Sequence, residues 1–281
     1  MRPVMSASVR RAAVYGVQRL RRVPVRSGVS VQRRSPAGAT AARNSAAAAG
    51  GARFVSDGGA LALVASGALR LDDAARLLRL RGRAMQDAVA PGVGAMSAIV
   101  MLDLPAVRAL CDEAMSELPG LVVQPANDNA PGQVVVAGHA EAVARVNALA
   151  DARRGRGVPL KVSAPFHCAL MRPAAELLAP ELGRVAVGPL AFPVVANVDG
   201  APNDDAGRVR DLLIRQIDGP VEWMKSIERI AAEGVTLALE IGPGKVLAGL
   251  CKRITKRITI LNVSTPESLE KVPAFLAGEQ V

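Results

Sequence analysis

From Leu61 onward the apolar positions switch between a helical period and a strand period, and the switches mark out a series of elements. Residues 72–89, DDAARLLRLRGRAMQDAV, predict a helix that opens on two aspartates, which suits the positive end of a helix dipole. A strand over 94–102 (GAMSAIVML) and a helix over 105–118 follow. Strands over 121–127 and 133–138 are joined by DNAPG, whose residues favour a turn, and a helix over 139–154 leads to a strand over 158–163. That order is β-α-β-β-α-β, the pattern of a small ferredoxin-like module.

Beyond the module, KVSAPFHCALMRPAAELL (161–178) breaks at a proline, presents Phe166 and His167, and becomes an amphipathic helix. FPVVANV (192–198) and TLALEI (236–241) read as strands, with helices at about 204–217 and 220–233 between them. A GPG turn then leads to a helix KVLAGLCKRIT, a strand ITILNV and a closing helix. Such alternation predicts a largely parallel sheet covered by helices. The expected fold is an α/β body over 57–92 and 164–281, interrupted by the ferredoxin-like insert over 93–163.

One charge sits against the pattern. With about 100° per residue, Asp72, Arg76, Arg79, Arg83, Gln86 and Asp87 share one arc of the first helix. Arg81 falls opposite, among Ala74, Leu77, Leu78, Met85 and Ala88. A guanidinium facing the core keeps its proton and needs an anion or several carbonyls. Two partners fit: a protein carboxylate in a buried ion pair, or a substrate carboxylate gripped by the two parallel N–H groups of the fork.

At 281 residues and 50% apolar, the chain is long enough for one large core carrying a smaller one. The net charge of +10 suggests nucleic acid until it is located. Eleven of the 35 basic residues lie in residues 1–56, which hold no acid; the remainder has 24 basic residues against 25 acidic ones, a net of −1. Without a basic stripe in the body, and with few aromatics to stack on bases, a nucleic-acid partner is excluded. Cys111, Cys168 and Cys251 form no CxxC pair and suit a reducing compartment. No apolar run approaches the roughly 20 residues that span a bilayer, so no membrane partner is expected. Residues 1–56, acid-free and rich in Arg, Ala and Ser, have the composition of a transit peptide or of an out-of-frame reading of GC-rich DNA. They are left out of the expected fold.

Six stretches carry a resemblance. LRGRAMQ (80–86), GAMSAI (94–99), ANDNAPGQVVVAG (126–138), APFHCALM (164–171), IRQIDGPVEWMKSI (214–227) and EIGPGKVLAGL (240–250) occur in the order found in malonyl-CoA:acyl-carrier-protein transacylases. Over roughly residues 56–275 the chain resembles that family. The resemblance implies an α/β-hydrolase-like acyltransferase body with the ferredoxin-like insert. It also implies a two-step transfer of malonyl from malonyl-CoA to the phosphopantetheine thiol of acyl carrier protein through a serine ester. By the same resemblance His167 is the general base, Arg81 holds the malonyl carboxylate, and Gln216 lines the site. Met85 and Asn129 border the pocket; ordinary packing for Met85 and turn support for Asn129 stand as alternatives. Phe166, just before the histidine, fits a malonyl-selective pocket, although one methyl group is worth only about 1–3 kcal/mol of discrimination. Cys168 points away from its neighbour His167, and His139 reads as a surface or capping residue.

Two departures accompany the resemblance. The family's nucleophile lies in a G-H-S-L-G-E turn, and ungapped counting puts Ser56 there, inside FVSDGG; Phe54 stands for a glycine and Val55 for a histidine. No G-Q-G motif, source of one oxyanion N–H in the family, precedes Ser56, so the chain reads as lacking the usual N-terminal part. The expected protein is a cytoplasmic, monomeric acyltransferase of fatty-acid or polyketide synthesis that uses malonyl-CoA as substrate and needs no cofactor. The alternatives are a remnant that only binds carrier protein or CoA, a thioester hydrolase, and a mitochondrial or plastid matrix location if residues 1–56 are a transit peptide.

Overall fold

The computed structural model describes the backbone of Arg11–Gly16 and Arg53–Ser56 and all of residues 59–279. Two strands come first, β1 (Arg11–Gly16) and β2 (Arg53–Ser56), then helices α1 (Ala60–Ala65) and α2 (Leu71–Asp87). The insert follows as β3 (Gly94–Val100), α3 (Leu104–Glu117), β4 (Val123–Ala130), β5 (Gln133–His139), α4 (Ala140–Ala152) and β6 (Arg156–Pro159). The body resumes with α5 (Arg172–Gly183), β7 (Val194–Ala196), β8 (Ala201–Asn203), α6 (Val209–Asp218) and α7 (Trp223–Ala232). It closes with β9 (Val235–Ile241), α8 (Val246–Ile254), β10 (Thr259–Val263), α9 (Pro266–Glu270) and α10 (Val272–Ala277).

The body sheet runs β10-β9-β1-β2-β7-β8, parallel throughout except for the β7–β8 pair. The insert forms its own antiparallel sheet in the order β4-β5-β3-β6, so the β-α-β-β-α-β reading matches the observed element order. Its strands are apolar on both faces because both are covered. Ile99, Val134 and Val136 pack with Val107 and Leu110 of α3 and Val143 and Val146 of α4. The alternate residues Met96, Ala98, Val135 and Ala137 gather with Cys168, Phe166 and Leu170 of the body.

In the body, α2 buries Leu77, Ala84 and Met85 against Ala174, Leu178 and Leu182 of α5 and Val209, Leu213 and Ile217 of α6. The arc of α2 that carries Asp72, Arg76, Arg79, Arg83, Gln86 and Asp87 is exposed, and Arg81 is half-buried.

Three features depart from the sequence reading. β1 and β2 arise inside residues 1–56, which that reading set aside, and they occupy the two middle positions of the sheet. An interior parallel strand needs only a short run such as RAAVYG, which an arginine-rich, acid-free composition masks. The strand expected over 158–163 ends at Pro159, and Lys161–Ser163 are exposed. The three-residue β8 carries too little pattern to be read in advance.

The insert meets the body along β4. Val221 bridges to it, donating its N–H to the Ala126 carbonyl at 2.8 Å and accepting from the Asp128 N–H at 2.9 Å. Arg253 of α8 clamps the β4–β5 turn through the Pro131 carbonyl at 2.8 Å and the Gln133 side chain. Asp128 is buried at this seam; burial pushes its carboxyl up to about 6, with Glu222 and Glu228 adding to the rise and Arg108 opposing it. The folded protein therefore holds this proton more tightly than the unfolded chain. The associated stability is present below the ordinary value of 3.8 and is lost as pH rises through about 6. Asp128→Asn is accordingly expected to melt at a higher temperature than the parent at pH 8, by roughly 1–2 kcal/mol after allowing for solvent screening. The two should converge near pH 4; thermal melts across that range check it, and a gap independent of pH would contradict it.

Candidate active site

Ligands of open parallel sheets bind beyond the carboxyl ends of the strands, where the strand order reverses. Here the order reverses at β1, which has β2 on one side and β9 on the other. Ile241, Gly16 and Ser56 stand side by side at the ends of β9, β1 and β2. Ser56 is the last residue of β2, so its side chain lies outside the described residues while its backbone position is fixed by the sheet. Phe54 and Val55 belong to the strand itself, paired with Val14 and Tyr15 on one side and Val194 and Val195 on the other. Only three residues separate Ser56 from α1, and the last of them, Gly59, is left-handed with φ 65°. A strand ending in a serine that leads through so short a connection into a helix has the course of a nucleophile elbow.

His167 reaches the site from the segment after the insert. Gly94 at the start of β3 makes this possible: a Cβ there would lie 2.3 Å from Pro165 Cγ. The His167 backbone is left-handed, with φ 61°, a conformation that costs a residue with a side chain about 1–2 kcal/mol. The ring is half-buried, and its Nδ1 lies 3.0 Å from the Gln216 carbonyl and 3.2 Å from the Gly219 carbonyl. Carbonyls only accept, so Nδ1 carries the proton and donates it, and the neutral ring presents Nε2 as its basic nitrogen.

The second histidine is built the other way round. His139 Nδ1 accepts the Val122 N–H at 2.8 Å, which leaves its proton on Nε2 and makes the ring a brace between β5 and the chain entering β4. His139 occupies the N-cap of α4 but caps it with no side-chain bond. Cys168 is fully buried, its thiol donates to the Pro165 carbonyl at 3.1 Å, and burial pushes it up to about 11. Such a thiol is protonated at neutral pH and is no nucleophile.

Arg81 and Gln216 come together. With Ala60, Leu178, Leu182 and Leu213 they line a cavity of about 20 Å³. Gln216, 6% exposed, also lines a second cavity of about 30 Å³ with Gly59, Leu63 and Asn203. Gln216 thus shares a cavity with Arg81 and holds His167 with its carbonyl. Phe166 packs at the junction of the body and insert cores, and Met85 is buried in that body core. Asn129 is half-buried on β4 and absent from the linings of both cavities.

Sequence reasoning missed two parts of this surround. Gly219, the second acceptor for His167, follows α6 inside the stretch 214–227 that carries the resemblance, but it acts through its backbone carbonyl, to which the stretch assigns no role. Glu240 is fully buried, and its carboxylate accepts the Leu247 and Ala248 N–H groups at 3.0 and 3.2 Å, capping α8. Together with Asn262, which donates to the Gly244 carbonyl at 2.6 Å, it pins the GPG turn beside the end of β1. An acid placed just before a glycine turn and a helix was the available signal.

Comparison with known proteins gives a consistent picture. The acyl transferase domain family matches residues 55–272. The malonyl CoA-acyl carrier protein transacylase of Salmonella typhimurium is 48% identical over 209 residues, covering 74% of this chain and 67% of that protein. The crystal structure of an acyl carrier protein S-malonyltransferase from Vibrio cholerae superposes with a TM-score of 0.75 at 42% identity, over 78% of this chain and 72% of that one. A malonyl-transacylase in complex with its type II PKS acyl-carrier protein superposes with a TM-score of 0.74, also at 42% identity, over 78% of this chain and 71% of that one.

Proposed function

Because the chain belongs to the acyl transferase domain family, we propose that it transfers a malonyl group from malonyl-CoA to the phosphopantetheine thiol of acyl carrier protein through a serine-bound acyl-enzyme. Ser56 is the nucleophile in this reading. Its Oγ attacks the thioester carbonyl while Nε2 of His167 takes the hydroxyl proton, and that proton passes to the departing CoA sulfur. In the second half the carrier thiol gives its proton to the same nitrogen, attacks the ester, and the serine oxygen recovers a proton as it leaves. Arg81 holds the free carboxylate of the malonyl group with its fork, and Gln216 lines the space between fork and imidazole. Phe166 restricts branching beside the acyl α-carbon. Met85 supports the pocket from the core, and Asn129, which lines neither cavity, keeps the alternative role of turn support.

The observation that carries this reading is the pair of carbonyls on His167 Nδ1, which leaves Nε2 as the base at the carboxyl end of a parallel sheet. The register of Gly16 with Ser56 adds to it, since it sets the serine at the carboxyl end of the parallel sheet. Among the described residues no helix is long and apolar enough to cross a membrane, and no group of three or more His, Cys, Asp and Glu residues could hold a metal ion. The Salmonella typhimurium and Vibrio cholerae relatives are bacterial, which supports a cytoplasmic enzyme; in this reading it acts as a monomer and uses malonyl-CoA as substrate without a further cofactor.

The test is covalent trapping. Purified protein incubated with radiolabelled malonyl-CoA is expected to carry one label, released as malonyl-carrier on addition of holo acyl carrier protein, and peptide mapping should place it on Ser56. Label released as free malonate without a carrier would point to a hydrolase. A folded protein that never takes up label would leave only the carrier-binding remnant.

A further inference from the structure

The connection between α6 and α7 is held at both ends. Gly219 accepts from His167 Nδ1–H, beside Gln216. Two residues later Val221 pairs with β4 of the insert, through Ala126 and Asp128, and Glu222 donates its N–H to the Asn197 carbonyl at 2.7 Å. Little slack is left between these anchors. A Cβ on Gly219 would lie 2.5 Å from the Arg215 carbonyl oxygen and 2.9 Å from Val198 Cγ2, and Val221 is buried with Trp223 and Ile227. Pro220 adds a fixed φ between them. Because β4 is an edge strand of its own sheet, the edge it offers to Val221 is the one its sheet leaves unpaired.

Resting on the reading of His167 as the base, we infer that the inserted subdomain positions that base: pairing of β4 with Val221 fixes the Gly219 carbonyl, which with Gln216 sets the tautomer and orientation of the His167 ring. Gly219 and Val221 are positioning residues that act through the imidazole and touch no substrate. The two neutral tautomers of an imidazole are close in energy, so the acceptors facing Nδ1 decide which nitrogen is basic. Displacing one acceptor lets the ring turn and lets the proton occupy Nε2 for part of the time, and each effect removes base from the reacting hydroxyl.

The two histidines make the test readable, because His139 is held in the opposite tautomer and serves as an internal standard. Gly219→Ala moves the carbonyl by steric collision. Val221→Pro removes the N–H that β4 accepts while keeping an apolar side chain. In both variants the ¹⁵N signals of His167 are expected to shift from the Nδ1–H pattern toward a tautomer mixture while those of His139 stay in place. The rate constant of malonyl-enzyme formation should fall about tenfold, with KM for malonyl-CoA within about threefold of the parent. Amide exchange at Asp128 should quicken at least about tenfold in Gly219→Ala, since a linkage acts in both directions. Unchanged His167 signals and acylation in folded variants would overturn the inference. If Val221→Pro does not fold, unchanged Asp128 exchange in Gly219→Ala overturns it alone. Should the protein form no malonyl-enzyme at all, the transferase reading fails, whereas a His167 shift with faster Asp128 exchange would still support the link.

Discussion

Replacing His167 by asparagine is expected to slow malonyl-enzyme formation by about 10²–10⁴-fold, the range typical of a lost general base. Asparagine is the informative substitution here. The His167 backbone is left-handed, and asparagine tolerates that region better than alanine, so backbone strain is held nearly constant. Its amide N–H₂ can still donate toward the Gln216 and Gly219 carbonyls that His167 Nδ1 uses, which keeps those two acceptors satisfied. What disappears is the basic nitrogen on the far side of the ring. Rapid-quench measurement of CoA release should therefore show a slow first turnover with malonyl-CoA binding and melting temperature close to those of the parent. A first turnover within about threefold of the parent would remove His167 from the proton transfer.

How far the sequence made this site legible differs by residue, and the differences have physical causes. Arg81 was readable because a helix has a fixed period: one guanidinium on the apolar side of a seventeen-residue helix stands out from sequence alone, and α2 does turn it toward the core. The insert was readable for the same reason, since strand and helix periods alternate cleanly from Gly94 to Pro159. The orientation of His167 was not. Its two acceptors lie 49 and 52 residues further along the chain and are backbone carbonyls, which every residue possesses and no motif records. The left-handed φ likewise runs against the local preference of histidine, so no local pattern announces it.

The middle of the sheet was the least legible part. β1 and β2 are six and four residues long, and RAAVYG and RFVS are each flanked by the arginine, alanine and serine that dominate residues 1–56. Runs of six and four residues are too short for periodicity to act on, so composition decides the reading. Their placement comes from pairing with β9 and β7, a contact between distant segments. Phe54 and Val55, which looked out of place in a glycine-rich turn, are strand residues, as is Ser56.

Arg81→Ala is expected to cut malonyl transfer by about 10²–10⁴-fold while leaving any acetyl transfer within about threefold. Two parallel bonds from a guanidinium to a carboxylate are charge-assisted, each worth about 1.5–3 kcal/mol, and every 1.4 kcal/mol is a factor of ten. Acetyl-CoA has no carboxylate, so it never used the fork. Arg81→Lys should recover part of the malonyl rate, because the charge returns without the fork geometry. A structural ion pair gives a different signature: both acyl groups would lose activity equally and the melting temperature would drop, since a partner left charged and buried destabilises the fold. Parallel rates with the two acyl-CoA substrates, with a thermal melt of each variant, separate the cases. The position of Arg81 makes the first outcome the expected one. It shares a cavity with Gln216, whose carbonyl lies 3.0 Å from His167 Nδ1, so under the proposed function an anion drawn to the fork is held one residue from the imidazole. Under the proposed function a substrate with its own negative charge adds a charge-assisted partner to this half-buried guanidinium on binding, before any bond is made or broken.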